Sequence, residues 1–137
     1  MSESLLDVNL DDAKPFSTLS DNTEARLTIT RAELTESKSQ SPAEYNLQMD
    51  LSCERDDVED IRVWIPVPSK EWKEQEPKSY QRAVNRFKEF TDAFGVRMPL
   101  NIAALHGLSG WALVSEEEDQ RTGKQRNGVR RFIAPKA

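Results

Sequence analysis

Tyr45, Leu47, Met49, Leu51 and Cys53 alternate with Asn46, Gln48, Asp50 and Ser52. A period of two places the apolar set on one face of a strand and the polar set on the other, a pattern that no helix satisfies. Two further segments carry the same mark. Ala25, Leu27 and Ile29 alternate with Arg26, Thr28 and Thr30, and Ile61, Val63, Ile65 and Val67 alternate with Arg62, Trp64 and Pro66. The phase of the earlier one slips at Arg31-Ala32 before Leu34, which predicts a bulge of the kind that bends a barrel strand. Pro66 and Pro68 end the later one or hold it at an edge.

The period then changes. Tyr80, Ala83, Val84, Phe87, Phe90 and Phe94 fall on one stripe of a helix that Ser79 can cap and Gly95 can close. After an irregular Leu100–His106, Trp111–Val114 reads as a fourth strand, Glu116–Gly128 as a long polar loop, and Val129–Ile133 as a fifth strand. Three strands, a helix of about four turns and two more strands are the element order of a mainly β, five-stranded OB-fold barrel. Small barrels of the SH3 type lack so long a helix at that point.

Residues 1–24 show no sustained period. Leu5, Leu6, Val8 and Leu10 are scattered among acids, ahead of Pro15 and a polar stretch. The expected organisation is an acidic, flexible N-terminal arm over residues 1–24 and one OB-fold domain over 25–137. No apolar run approaches the roughly 20 residues that span a bilayer, and no charged-then-apolar leader opens the chain. The expectation is a cytoplasmic protein.

Charge is distributed unevenly. The net charge of -5 and the pI near 5.0 argue against a nucleic-acid partner only if charge is uniform. Residues 1–24 carry six acids against Lys14, whereas residues 119–137 carry six bases against Asp119. Arg121, Lys124, Arg126, Arg130 and Arg131 lie within eleven residues that also hold Gly123 and Gly128. Glycine allows close backbone approach to a phosphate, and arginine contacts phosphate as a fork or stacks on a base.

In an OB barrel, single-stranded nucleic acid lies across strands 2 and 3. With the apolar set inside, strand 2 presents Asn46, Gln48 and Asp50 outward, and strand 3 presents Arg62 and Trp64. An outward indole among polar neighbours is a stacking platform for a base; packing under a loop or on a second subunit is the alternative. Trp72 sits in a charged connector, Lys70–Lys78, beside Lys70 and Lys73, and suits either a nucleic-acid contact or a plug for the barrel end. Trp111 is ambiguous between the two faces of its strand, with the core favoured. The expected nucleic-acid contacts are therefore Gln48, Arg62, Trp64, Lys70, Trp72, Lys73, Arg121, Lys124, Arg126, Arg130 and Arg131.

Catalytic signals are thin. One Cys (Cys53) and one His (His106) exclude a Cys/His zinc site and an internal disulfide. Cys53 falls on the core-facing side of its strand, and His106 has no evident orienting partner. Asp56, Asp57, Glu59 and Asp60 form an acidic turn, a common solvated feature, with no catalytic-looking Lys to complete a magnesium nuclease. No phosphate loop or dinucleotide fingerprint is present. The expectation is a non-enzyme with no cofactor and no metal.

The chain resembles a family of small bacteriophage single-stranded DNA-binding proteins with an OB-fold. The features that carry the resemblance are the acidic Asn9–Asp12 leader, the Glu36–Ser39 turn before Tyr45–Leu51, and Phe87–Phe90 through Gly95 on the helix. Leu108–Ala112 and Gly123…Asn127–Ile133 complete it. The resemblance implies coating and protection of single-stranded DNA with little sequence preference, during phage replication or recombination in the bacterial host cytoplasm. Many such proteins end in an acidic tail, whereas this chain ends in a basic one and carries its acidic arm at the other end. That departure suggests that residues 1–24, with Leu5, Leu6 and Leu10, meet a phage or host replication protein; a solubility tail is the alternative. A homodimer is an open possibility. The competing function is a protein-interaction module, an adaptor or inhibitor of a host protein, built on the same barrel.

Overall fold

A computed structural model describes residues 5–37 and 43–135. Residues 38–42 (the end of the Glu36–Ser39 turn among them), the start of the arm and Lys136 lie outside the described residues. Five strands, β1 (Thr23–Glu36), β2 (Tyr45–Cys53), β3 (Ile61–Pro66), β4 (Ser109–Glu118) and β5 (Gln125–Ile133), form one sheet in the order β3-β2-β1-β4-β5. Every pairing is antiparallel. The sheet curls until β3 and β5 approach each other, which nearly closes the barrel. A short helix α1 (Lys70–Gln75) and the main helix α2 (Pro77–Phe94) lie between β3 and β4. This is the OB-type order that the alternation predicts.

Alternation decides the core. Leu27, Ile29, Leu47, Met49, Leu51, Ile61, Val63 and Ile65 are all buried, and their sequence neighbours on β2 and β3 face out. The expected bulge falls at Thr30: Ile29 pairs with Leu51 and Arg31 with Asp50, which leaves Thr30 as the extra residue. The extra residue restores Ala32 and Leu34 to the inner side, opposite Met49 and Leu47.

Helix α2 starts three residues earlier than the Ser79 cap predicts. Pro77 occupies the first turn after the Glu76 cap, where its missing N–H costs nothing. Ser79 Oγ instead accepts the Trp72 indole N–H at 3.0 Å. Gly95 closes the helix with φ 68°, its amide donating to the Thr91 carbonyl. Phe90 and Phe94 meet Phe132 of β5 at ring-centroid distances of 5.6 and 5.9 Å.

The β4–β5 hairpin is longer than predicted. Glu116–Glu118 and Gln125–Gly128, expected as loop, pair as strand, and only residues 119–124 turn. In the extension Glu117 stands opposite Arg126, a favourable cross-strand placement of opposite charges. A second bulge leaves Arg130 as the extra residue of β5. Arg86 of α2 donates to the carbonyls on either side of that bulge, Val129 at 3.0 Å and Arg130 at 3.1 Å. Its guanidinium also lies 4.7 Å from the Phe132 ring centroid. Glu89 accepts the Phe132 amide at 2.6 Å. Helix and bulge are thus stitched together by polar as well as apolar contacts.

Contact with the barrel begins before Ala25. Leu19 is buried, its amide donating to Asn127 Oδ1 at 2.9 Å, and Ser17 bridges to Val58. Thr18 Oγ1 donates to Glu116, and Asp21 accepts the Glu116 amide at 2.9 Å. The ordered contacts therefore start near Ser17 and not at Ala25. Among the described residues no helix is long and apolar enough to cross a membrane.

Gly110 tests the closeness of helix and sheet. A Cβ there would lie 2.7 Å from the Ala93 carbonyl oxygen and 2.9 Å from the Phe94 ring. Gly110→Ala is therefore expected to lower stability by about 1–3 kcal/mol through overpacking, read as a reduced urea midpoint. An unchanged midpoint would mean that α2 stands further from β4.

Candidate nucleic-acid interface

Register assembles the outer wall into rows. Gln48 stands between Glu33 of β1 and Trp64 of β3, and Asp50 stands between Arg31 and Arg62. Trp64 is 53% exposed. Its Nε1 donates to Gln48 Oε1 at 2.9 Å, and Gln48 Nε2 donates in turn to Glu33 Oε1 at 3.1 Å. The indole is anchored through its one polar atom while half of its surface faces solvent. Such a ring is held in place before any ligand arrives, which lowers the ordering cost of binding.

Trp64 and Arg62 line a cleft of about 270 Å³ with Arg126 of β5 and Phe16 of the N-terminal segment. The cleft therefore bridges the seam between β3 and β5. Phe16, 61% exposed, is a candidate contact that periodicity misses, because it stands in a polar segment far from either strand. Its only signal is an aromatic residue between Pro15 and Ser17. Acids share the same walls: Glu59, Asp60 and Glu117.

Arg62 is engaged on its own wall. Its Nε and Nη2 donate to the two carboxylate oxygens of Asp50 at 2.8 and 3.3 Å. The hydrogen bond from Arg62 holds the Asp50 carboxyl below the usual carboxylate range, against the opposing effect of partial burial. A carboxyl depressed in the folded state stabilises the fold above its unfolded value, and that contribution is lost as pH falls through the depressed folded value. The stability advantage of the parent over Asp50→Asn should therefore shrink below about pH 4. Urea midpoints of both proteins across that range check it; a constant gap would contradict the pairing.

The remaining predicted residues separate. Arg121 and Lys124 occupy the exposed 119–124 turn and, with Arg126, form no ion pair among the described residues. That turn is braced by Asp119, which accepts the amides of Arg121 and Gly123. Arg130 is turned away by its bulge and donates to Asp21 at 3.0 Å. Arg131 stands on the outer wall of β4 and β5, opposite Leu113. Lys70 and Lys73 are exposed on α1 and do not line the cleft.

Two tryptophan expectations are corrected. Trp72 is only 4% exposed and packs with Ala43, Ala83 and Tyr80 under α2, so its indole has no free face for a base. A six-residue helix, capped by the Ser69 hydroxyl on the Trp72 amide at 3.2 Å, turns the supposed connector inward. Trp111, favoured for the core, is 50% exposed; Gly110, Ala112 and Val114 take the inner face. Of the acidic turn, Asp57 is held by Arg55 at 2.6 and 3.0 Å.

Comparison with protein-family models and with curated proteins finds no match to this chain.

Proposed function

We propose that the protein binds single-stranded DNA across the outer wall of β2 and β3, coating and protecting it with little sequence preference during phage replication or recombination. The observation that carries this reading is the half-exposed Trp64 indole, tethered to Gln48 and sharing one cleft with Phe16, Arg62 and Arg126. Every base has a π face, so two exposed aromatics favour a single strand without reading its sequence, while a duplex keeps its bases stacked internally. Arg126, Arg121 and Lys124 supply phosphate contacts at the edge of the cleft. The protein acts by occupancy and not by catalysis. The exposed Leu5, Leu6 and Leu10 of the acidic arm support a docking role for that segment toward a phage or host replication protein.

Oligo-dT is expected to quench tryptophan fluorescence, and a duplex of equal length to leave it unchanged. Absence of quenching at micromolar protein and low salt would overturn this assignment. A second reading is favoured by one specific observation, the excess of acids around the cleft (Glu59, Asp60, Glu117 and the Asp50 that engages Arg62). That excess suits a basic protein surface, and the barrel would then act as an adaptor or inhibitor. Retention of a basic host protein by the intact chain, with no retardation of a labelled strand, would select it.

A further inference from the structure

Trp111 stands on the outer wall of β4, 50% exposed, in a row formed with Arg26 of β1 and Ile133 of β5. The next row along holds Glu24, Leu113 and Arg131. Arg26 is thus directly across from the indole, and Arg131 is its diagonal neighbour, within reach of a long side chain. Arg26 and Arg131 are exposed, and neither forms an ion pair among the described residues. Acids are present as well: Glu24 stands on this wall, Glu54 and Arg55 border the depression that Trp111 and Arg26 line, with Arg55 occupied by Asp57, and Glu89 and Asp92 border the one that Arg131 lines. The basic C-terminal strand is therefore divided by the Arg130 bulge, with Arg126 going to the Trp64 cleft and Arg131 to the Trp111 wall.

We infer that Trp111, Arg26 and Arg131 form a second contact site for the same single strand, the indole stacking on a base and the two guanidinium groups meeting flanking phosphates. This rests on the reading that the Trp64 wall binds single-stranded DNA. Arg26 and Glu33, the β1 members of the Trp111 and Trp64 rows, are separated by about 20 Å on a strand rising ~3.3 Å per residue. One strand joins two footholds at that spacing within the ~4–16 nucleotides that OB barrels cover. The structure therefore assigns a path running across the sheet from β3 through β1 to β4.

Length separates the two sites. Intact parent, Trp64→Ala, Trp111→Ala, Trp111→Phe and the double variant Arg26→Gln/Arg131→Gln are titrated with oligo-dT of about 3 nucleotides, too short to bridge the two footholds, and of about 20. Trp111→Ala is expected to weaken the longer strand about tenfold and leave the shorter unchanged. Trp111→Phe keeps a ring and should retain most of the longer strand's affinity. The Arg double variant should make the log–log salt slope for the longer strand shallower by about 1.4, two phosphates' worth. If Trp64→Ala weakens both lengths and Trp111→Ala neither, the second site is refuted and the first stands. If the parent binds neither length, both fall together. A change in sedimentation of Trp111→Ala, with affinity intact, would instead make that wall a subunit contact and overturn the site.

Discussion

Phe90→Ala is expected to destabilise the protein by about 3–5 kcal/mol, the usual cost of deleting a fully buried ring. Phe90 has no exposed surface and sits where α2 closes the barrel. Its ring meets Phe87, Phe94 and Phe132 at centroid distances of 6.1, 5.2 and 5.6 Å, so truncation leaves a cavity bounded by three other rings. Those rings belong to an elongated helix and to β5, and neither can collapse inward while Arg86 and Glu89 hold the helix to the bulge. A domain of this size has only ~5–15 kcal/mol in total, so urea denaturation of this variant should show a much lower midpoint. A loss below about 1 kcal/mol would mean that the helix does not seal the barrel.

Trp64→Ala carries the largest expected effect on binding. Removing one base–aromatic stack costs about 1–3 kcal/mol, or roughly 5- to 150-fold in affinity. The fold should be almost untouched, because the side chain is outward and its one hydrogen bond goes to a partly exposed Gln48. Trp64→Phe should recover part of the affinity, since a ring remains. Equal affinity of Trp64→Ala and parent at matched salt would dismiss the stacking assignment.

Parity explains what could be read before any coordinates. On β2 and β3 the apolar residues occupy every second position, so the outward direction of Gln48, Arg62 and Trp64 follows from counting. On β4 both parities are apolar, Gly110, Ala112 and Val114 against Trp111 and Leu113, and counting cannot choose. The choice is made by α2, whose Ala93 carbonyl approaches β4 so closely that only glycine fits. Trp72 is hidden in the sequence by its charged neighbours, because the six-residue helix α1 buries one residue and exposes the rest. Phe16 carries no period at all; tertiary contact of Ser17, Thr18 and Leu19 with the barrel brings it to the cleft. The basic strand looks continuous in sequence, yet the Arg130 bulge splits its charges between two walls and a surface contact with Asp21.

Charge limits how strongly phosphates contribute. Arg62 is engaged by Asp50 and Arg130 by Asp21, which leaves Arg126 at the cleft, and Arg121 and Lys124 in the adjoining 119–124 turn, without ion pairs among the described residues. At ~0.7 per neutralised phosphate on a single strand, three contacts give a log–log salt slope near -2 for a short oligonucleotide. Aromatic stacking, which salt barely screens, should then supply most of the affinity.

The most direct measurement is binding of one labelled strand and its duplex across a salt series. The predicted result is preference for the single strand at every salt concentration, with a shallow slope for short strands near -2. Equal binding of the duplex, or no binding of the strand even at low salt, would contradict it.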